Sequence, residues 1–424
     1  MITSIRLLKN GFQHKNIVKY MARNYQLSAT NGNKSENSNL KSIKDIPGPK
    51  PLPILGNVLD FVKNEKKQHW WFKELYETYG DIIKIDLGLS GFGNMIYTFN
   101  PEYAKIIFTA EGSMPHNFVL DNFIWYRNVR KKELYPDGFA GLAGSYPELW
   151  REQRTAINPN MMRRNAAVFY LEAEEEISSD CVDRIAEKRD DKNEITNGVP
   201  EIIYLWSLES IAKIFLDTRM GCLALDREMD PKCAEFIENV RALLQGSSIM
   251  LRKLPLWKYI DVPHYKKFDK AFSYLYRESS ILIKKSIKHH KENKENLEGS
   301  QKNRNSILTK LTDKFGEDSN IPIVTALDAL IGGVDSVATT ATFLLYHLAN
   351  NPLKQEIAIK EVDRIVGSGK ITQEKVDQLH YMKACLVESQ RINPAANGTA
   401  RRLQNDIVLG EYLILKGTYV VLTG

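Results

Sequence analysis

Leu327-Asp328-Ala329-Leu330-Ile331-Gly332-Gly333-Val334-Asp335-Ser336-Val337-Ala338 sets a glycine pair, an acid and a hydroxyl inside an apolar pattern. From Leu327 the apolar positions recur at Leu330, Ile331, Val334, Ala338, Ala341, Leu344, Leu345 and Leu348. This three-and-four spacing predicts a long helix that buries one face. Two adjacent glycines inside such a helix cost about 1 kcal/mol each relative to alanine. Either close packing or room for a ligand against the backbone must compensate. The Ser336 hydroxyl can return to the carbonyl of Gly332, four residues back, which bends a helix and opens a groove. An acid and a hydroxyl beside a groove can hand protons to a bound small molecule. In the other reading the glycines only admit a second helix and Asp335 faces water. On these residues alone the two readings stand level.

A second constellation lies downstream, Glu388-Ser389-Gln390-Arg391-Ile392-Asn393-Pro394 followed by Ala400-Arg401-Arg402-Leu403. Glu388 and Arg391 are three apart and share a helix face, and Pro394 ends that helix. Taken singly, such a pair is ordinary surface decoration. Upstream stand Trp150 and Arg154, four apart, and the proline-rich run Pro47-Gly48-Pro49-Lys50-Pro51-Leu52-Pro53.

With these four motifs in this order, the sequence resembles the cytochrome P-450 monooxygenases, and more closely their mitochondrial branch in animals, particularly insects. The resemblance runs from Ile46 to Gly424. It includes Ser207 to Leu223, similar to that branch's helix ending in Asp217-Thr218-Arg219-Met220-Gly221-Cys222. It implies a mainly α fold with a small β-sheet, a haem cofactor, and insertion of one atom of dioxygen into a lipophilic small molecule. The Gly332-Gly333 helix corresponds to the oxygen-binding helix, with Asp335 and Ser336 delivering protons. Trp150, Arg154 and Arg401, with Arg402 as the alternative to Arg401, are implied to hold the haem propionates. Glu388 and Arg391 are implied to tie their helix to the loop supporting the haem pocket. Electrons are implied to come from NADPH through a flavoprotein and a small acidic ferredoxin. Of the two basic docking positions Lys383 matches the first, and Val387 stands at the second. Where the family has threonine this chain has Ser336, which keeps the hydroxyl but lacks the methyl that restrains its rotamer.

The resemblance also implies a thiolate ligand in a Phe-x-x-Gly-x-Arg-x-Cys-x-Gly loop, beyond the strand expected around Tyr419 to Leu422. Cys181, Cys222, Cys233 and Cys385 are the chain's cysteines, and none has a glycine-rich turn around it. Each is expected to be an ordinary buried or partly buried thiol. The expectation is therefore a P-450 fold incomplete at its C-terminus, without its iron ligand and inactive by itself. The alternative is a non-catalytic helical homologue or a lipophilic-ligand binding protein.

Length and composition fit one large helical domain: 424 residues, 43% hydrophobic, with no internal repeat and no linker between differently patterned halves. The four cysteines form no disulfide framework, and with the eight histidines they offer no metal-ligand spacing. Residues 1–35 are basic, acid-free, serine-bearing and amphipathic, the composition of a mitochondrial transit peptide. Residues 36–46 read as a polar connector and 47–424 as the catalytic domain. The expected location is the matrix side of the inner membrane. The net charge of +6 belongs partly to the leader and is no nucleic-acid signature. Lys284 to Lys302, basic and nearly free of apolar residues, is expected as a solvated helix end and loop. Ile249 to Ile260 mixes aliphatics, Trp257 and Tyr259 with Arg252 and Lys253, and suits either a membrane interface or a loop packed on the core. Phe118 to Trp125, apolar and aromatic, is expected to line the substrate pocket.

Overall fold

A computed structural model describes residues 40–64, 67–88, 93–112, 115, 121–135, 141–142, 147–162, 166–224, 231–252, 255–294, 306–317, 319–396 and 398–423. The transit peptide expected over 1–35 lies outside these residues. The chain divides into two compact units, one of residues 1–119, 250–260 and 398–424, the other of 120–249 and 261–397. No linker announces this division in the sequence, because each unit is assembled from separated segments.

The first unit holds β1 (Lys41–Ser42), α1 (Val58–Lys63), α2 (Gln68–Tyr79), β2 (Ile82–Asp86), β3 (Asn94–Thr98), α3 (Pro101–Ala110), β4 (Gly398–Arg402), β5 (Ile407–Leu409), β6 (Tyr412–Ile414) and β7 (Tyr419–Thr423). A four-stranded sheet runs in the order β2-β3-β7-β4, and a smaller one in the order β1-β6-β5. Alternate residues of a strand point to opposite faces, and both faces of the larger sheet are covered. Ile83, Ile85, Met95 and Tyr97 meet Phe61, Trp71 and Leu75 of α1 and α2. Ile82, Ile96, Val420 and Leu422 meet Ile107, Leu409 and Ile414. Register pairs Ile83 with Tyr97 and Ile96 with Val420, so a one-residue slip would exchange the two cores.

The connector expected over 36–46 does not persist to its end. Lys41 and Ser42 pair in parallel with Tyr412 and Leu413, Lys41 bridges to Glu411 at 2.7 Å, and Ile46 is buried. Polar composition concealed this edge strand because its two residues are exposed and its fixed contacts come from backbone and one ion pair. The proline-rich run is likewise held, with Lys84 donating its backbone N–H to the Pro47 carbonyl at 2.8 Å.

The second unit is helical: α4 (Asp121–Trp125), α5 (Pro147–Met161), α6 (Leu171–Ala186), α7 (Val199–Leu216), α8 (Pro231–Arg252), α9 (Pro263–Lys294), α10 (Ile307–Phe315), α11 (Asn320–Ala349), α12 (Pro352–Ile365), α13 (Gln373–Gln378) and α14 (His380–Ile392). The predicted glycine-pair helix is α11. Ser319 caps its start by accepting the N–H of Ile321 at 3.1 Å. Its length and hydropathy would suit a membrane span, yet α7, α9, α10 and α14 pack around it, and it is a core helix. The resemblance ran one helix through Ser207 to Cys222; α7 instead stops at Leu216, where Asp217 takes a left-handed conformation with φ 52°. The basic run from Lys284 forms the helix end expected of it, the last turns of α9 as far as Lys294, and its remainder lies outside the described residues.

Two cysteines expected as thiols are bonded. Cys222 and Cys233 form a disulfide with Cα atoms 5.8 Å apart. The fully buried carboxylate of Glu209 on α7 accepts the backbone N–H groups of Gly221 and Cys222, each at 3.0 Å, and the Arg219 Nε at 2.6 Å. This folds the segment after α7 back on itself, which spacing along the sequence does not reveal.

In the segment expected to line a pocket, the described part includes buried core. Phe118, Val119 and Leu120 lie outside the described residues, while Phe123 is buried with its ring 5.7 Å from Phe268 and 5.1 Å from Phe272. Just beyond α4, Arg127 is fully buried and pairs with Asp328 of α11 at 2.5 and 3.2 Å. The rings of Phe272, Tyr135 and Phe123 lie within 5.8 Å of its guanidinium. Gly141 passes so close that a side chain there would collide with both charged groups.

Removing one partner of a buried pair leaves an uncompensated charge, so Asp328→Ala is expected to cost about 3–5 kcal/mol. Arg127→Met/Asp328→Leu, which removes both charges, should recover most of that loss. Urea unfolding of the full chain, followed by tryptophan fluorescence, checks the order of the three midpoints.

Candidate active site on the central helix

The two adjacent glycines of α11 have different surroundings. A Cβ built on Gly332 would meet nothing within 4 Å, and Gly332 and Ser336 are both exposed. A Cβ on Gly333 would stand 2.6 Å from Cγ1 of Ile211 on α7. Close helix packing and open space against the backbone, posed above as alternatives, thus fall one to each glycine. The Ser336 hydroxyl donates to the Gly332 carbonyl at 2.7 Å, as its spacing predicts, and Thr340 repeats the arrangement on the Ser336 carbonyl at 2.8 Å. Gly332, Ser336 and Thr340 recur every four residues and so share one face of α11.

Behind that face, α7 presents a stripe at spacings of three and four residues. Tyr204 donates its hydroxyl to Asp335 Oδ1 at 2.8 Å and lies 3.3 Å from Thr339 Oγ1. Ser207 reaches the carbonyls of Gly333 and Val334, each at 3.0 Å. Ile211 fills the space beside Gly333. The guanidinium of Arg241 on α8 lies 3.9 Å from the centre of the Tyr204 ring, a cation on a π-face. Asp335 therefore neither faces water nor shares the open face with Ser336. The two side chains leave the helix about 100° apart, Asp335 toward α7 and Ser336 toward the groove. The motif did not point to Tyr204 and Ser207. Their signal in the sequence is a tyrosine and a serine three residues apart on a mainly apolar helix.

Trp150 and Arg154 lie on α5, both half-buried and four residues apart. Between them Gln153 is fully buried, and neither its amide nitrogen nor its oxygen has a partner among the described residues. A buried orphan amide marks a place where a further polar group belongs. α5 packs on α10, and α10 on α11. Arg401 stands in the other unit, on β4, bonded through Nε to Glu111 and through Nη1 to Thr399 Oγ1 at 2.9 Å. Neighbouring strand residues face opposite ways, and the Arg402 guanidinium lies over Tyr419, 5.7 Å from the ring centre.

On α14, Glu388 and Arg391 form a bidentate pair at 2.7 Å for both bonds, with most of each side chain exposed. Arg391 holds the Glu388 carboxyl below its usual range. α14 packs on α11, and just past it the Asn393 Oδ1 meets His347 Nε2 of α11 at 2.9 Å. Glu361 of α12 accepts the N–H groups of Tyr381 and Met382 at 2.9 Å and so fixes the start of α14. Lys383 is half-exposed, 3.7 Å from Asp377, while Val387, one turn on, is exposed.

Half-buried Trp150 and Arg154, beside the orphan amide of Gln153, suit a group bearing carboxylates. Cys222 and Cys233 are bonded to each other. Burial pushes the Cys181 thiol up to about 11 and also raises that of Cys385. Among the described residues, no three His, Cys, Asp or Glu side chains converge as metal ligands.

The sequence model of the family described as Cytochrome P450 matches residues 46–424. "Probable cytochrome P450 49a1" of Drosophila melanogaster is 27% identical over 394 residues, spanning 90% of this chain and 65% of that protein. "Probable cytochrome P450 12c1, mitochondrial" of the same fly is 29% identical over 396 residues, 92% of this chain and 73% of that protein. "Cytochrome P450 12b1, mitochondrial" of Drosophila acanthoptera is 28% identical over 386 residues, 90% of this chain and 70% of that protein. This chain thus spans about two thirds of the length of such relatives.

The unequal glycines yield a paired expectation. Gly332→Ala meets open space and should stabilise the chain by about 1 kcal/mol through helix propensity. Gly333→Ala drives a methyl into Ile211 and should destabilise it by about 1–3 kcal/mol. Denaturant midpoints of the two variants beside the parent chain check the opposite signs.

Proposed function

The chain belongs to the cytochrome P450 family, and from that premise we propose that it is the haem-pocket part of a mitochondrial monooxygenase acting on a lipophilic small molecule. The observation that carries this reading is the turn at Gly332–Ser336, open in front and braced from behind by Tyr204, Ser207 and Ile211. Bound haem would supply the iron chemistry that activates dioxygen. The chain's own residues do the rest. Trp150 and Arg154 would hold the propionates, the arginine through charge-assisted bonds. Arg401 is engaged with Glu111. Ser336 Oγ gives its proton to the Gly332 carbonyl and keeps its lone pairs for a donor in the groove. On rotating about χ1 it offers the proton to that side instead. Asp335 would take its part in proton delivery from the α7 side of the helix, where its Oδ1 accepts the Tyr204 hydroxyl. Serine lacks the methyl that would hold this rotamer, so proton delivery is less tightly directed than with threonine.

In this reading electrons come from NADPH through a ferredoxin that docks at Lys383, on the matrix side of the inner membrane. The exposed Leu256, Tyr259 and Ile260 give peripheral contact with the bilayer. In this reading none of the four cysteines would hold the iron, and the chain alone does not turn over substrate. The burial and pairing of those cysteines also favour a second reading of the isolated chain, as a non-catalytic homologue that binds lipophiles.

Hemin titration of the purified chain tests the site. Saturable binding is expected, weakened about tenfold by Arg154→Ala, the loss of one charge-assisted hydrogen bond. Unchanged affinity in that variant removes Arg154 from the site. A thiolate-type Soret band with carbon monoxide would overturn the assignment of the cysteines.

A further inference from the structure

Six of the nine Lys and Arg residues of helix α9 fall along one line. At 100° per residue, Lys266, Lys270, Arg277, Lys284, Lys288 and Lys291 fall within an arc of about 60°. All six are exposed. Ser273, which meets the Tyr126 hydroxyl at 3.2 Å, is the only other residue between Lys266 and Lys291 in that arc. The buried line of the helix, Phe268, Phe272, Leu275, Ser279, Ile283 and Ser286, lies on the opposite side, so the cations point straight away from the core. From Lys266 to Lys291 the line extends about 37 Å at 1.5 Å per residue.

The acids of α9 do not neutralise it. Asp269 lies off the arc, accepting the Tyr126 hydroxyl at 2.9 Å and pairing with Lys131 at 3.6 Å. Glu278 is shared between Arg277 and Lys232. Lys288 has Glu292 at 3.8 Å, and Lys291 has Glu317. Lys266, Lys270 and Lys284 have no acid within pairing distance among the described residues. Lys266 and Lys270, and again Lys284 and Lys288, are like charges four residues apart, which destabilises a helix. Lys266 also lies in the first turn, where the helix dipole repels cations. A helix that accepts both penalties along a straight exposed face has a reason outside itself.

We propose that this line is the docking face for an anionic phospholipid surface. Five of the six cations are lysines, hydrated point charges on flexible stems without the fork that fixes a carboxylate or a base edge. They suit a fluid array of headgroup phosphates better than a fixed constellation on an acidic protein. Ile281, exposed at the edge of the arc, can enter the interface beside them. The inference deepens the membrane contact proposed for Leu256, Tyr259 and Ile260, and salt separates the two, because charge attraction is screened and apolar insertion is not.

Vesicle co-sedimentation of the full chain tests it, comparing phosphatidylcholine alone with phosphatidylcholine containing phosphatidylglycerol. The chain should pellet with the anionic vesicles at low salt and be released as salt rises. Lys270→Gln/Lys284→Gln/Lys288→Gln should lower the partition about 100-fold, at roughly fivefold per lysine. The corresponding triple Lys→Arg variant should bind as the parent does. Leu256→Ser/Ile260→Ser should reduce only the salt-resistant fraction. Equal pelleting of the parent and the triple Gln variant would overturn the proposal, since the basic residues 1–35 are present in both. So would retention on immobilised polyglutamate without vesicle binding, which would assign the line to an acidic protein.

Discussion

What α11 can offer a ligand depends on how closely α7 approaches its rear. Ile211 occupies the position that a side chain on Gly333 would need, and only at that separation can Ser207 reach two carbonyls and Tyr204 reach Asp335. The helix runs unbroken from Asn320 to Ala349, pinned at its carbonyls on one side and back-bonded by Ser336 and Thr340 on the other. The groove-side hydroxyl and the rear-side acid follow from that single contact.

Charges buried around this core do different work from charges on its surface. Arg127 and Asp328 satisfy each other among aromatic rings, and such pairs specify an arrangement more than they stabilise it. Glu209 acts similarly for the segment after α7, gathering Arg219 and two backbone N–H groups and leaving Cys222 where Cys233 can bond to it. The cations of α9 are neither buried nor enclosed by acids. Their meaning lies in their alignment.

Much of the fold was legible because it rests on periodicity. The spacing of apolar residues from Leu327 to Leu348, the end of α14 before Pro394 and the strand at Tyr419 to Leu422 are each local patterns that the packed chain retains. The bond from Ser336 to Gly332 was legible for the same reason, as it spans one helical turn. The two-residue strand at Lys41, the disulfide and the true end of α7 were not, because each depends on a partner distant in sequence or on a left-handed backbone.

The sequence by itself determined which residue types stand at which turn of α11, and so that a hydroxyl, an acid and two glycines occur together there. It left open what each glycine is for and where the acid points, since a helix face acquires meaning only from what is packed against it. The tertiary structure decided both: the approach of α7 closes the side of Gly333 and Asp335 and leaves the side of Gly332 and Ser336 open, and two helices can pack that closely only where one of them lacks a side chain.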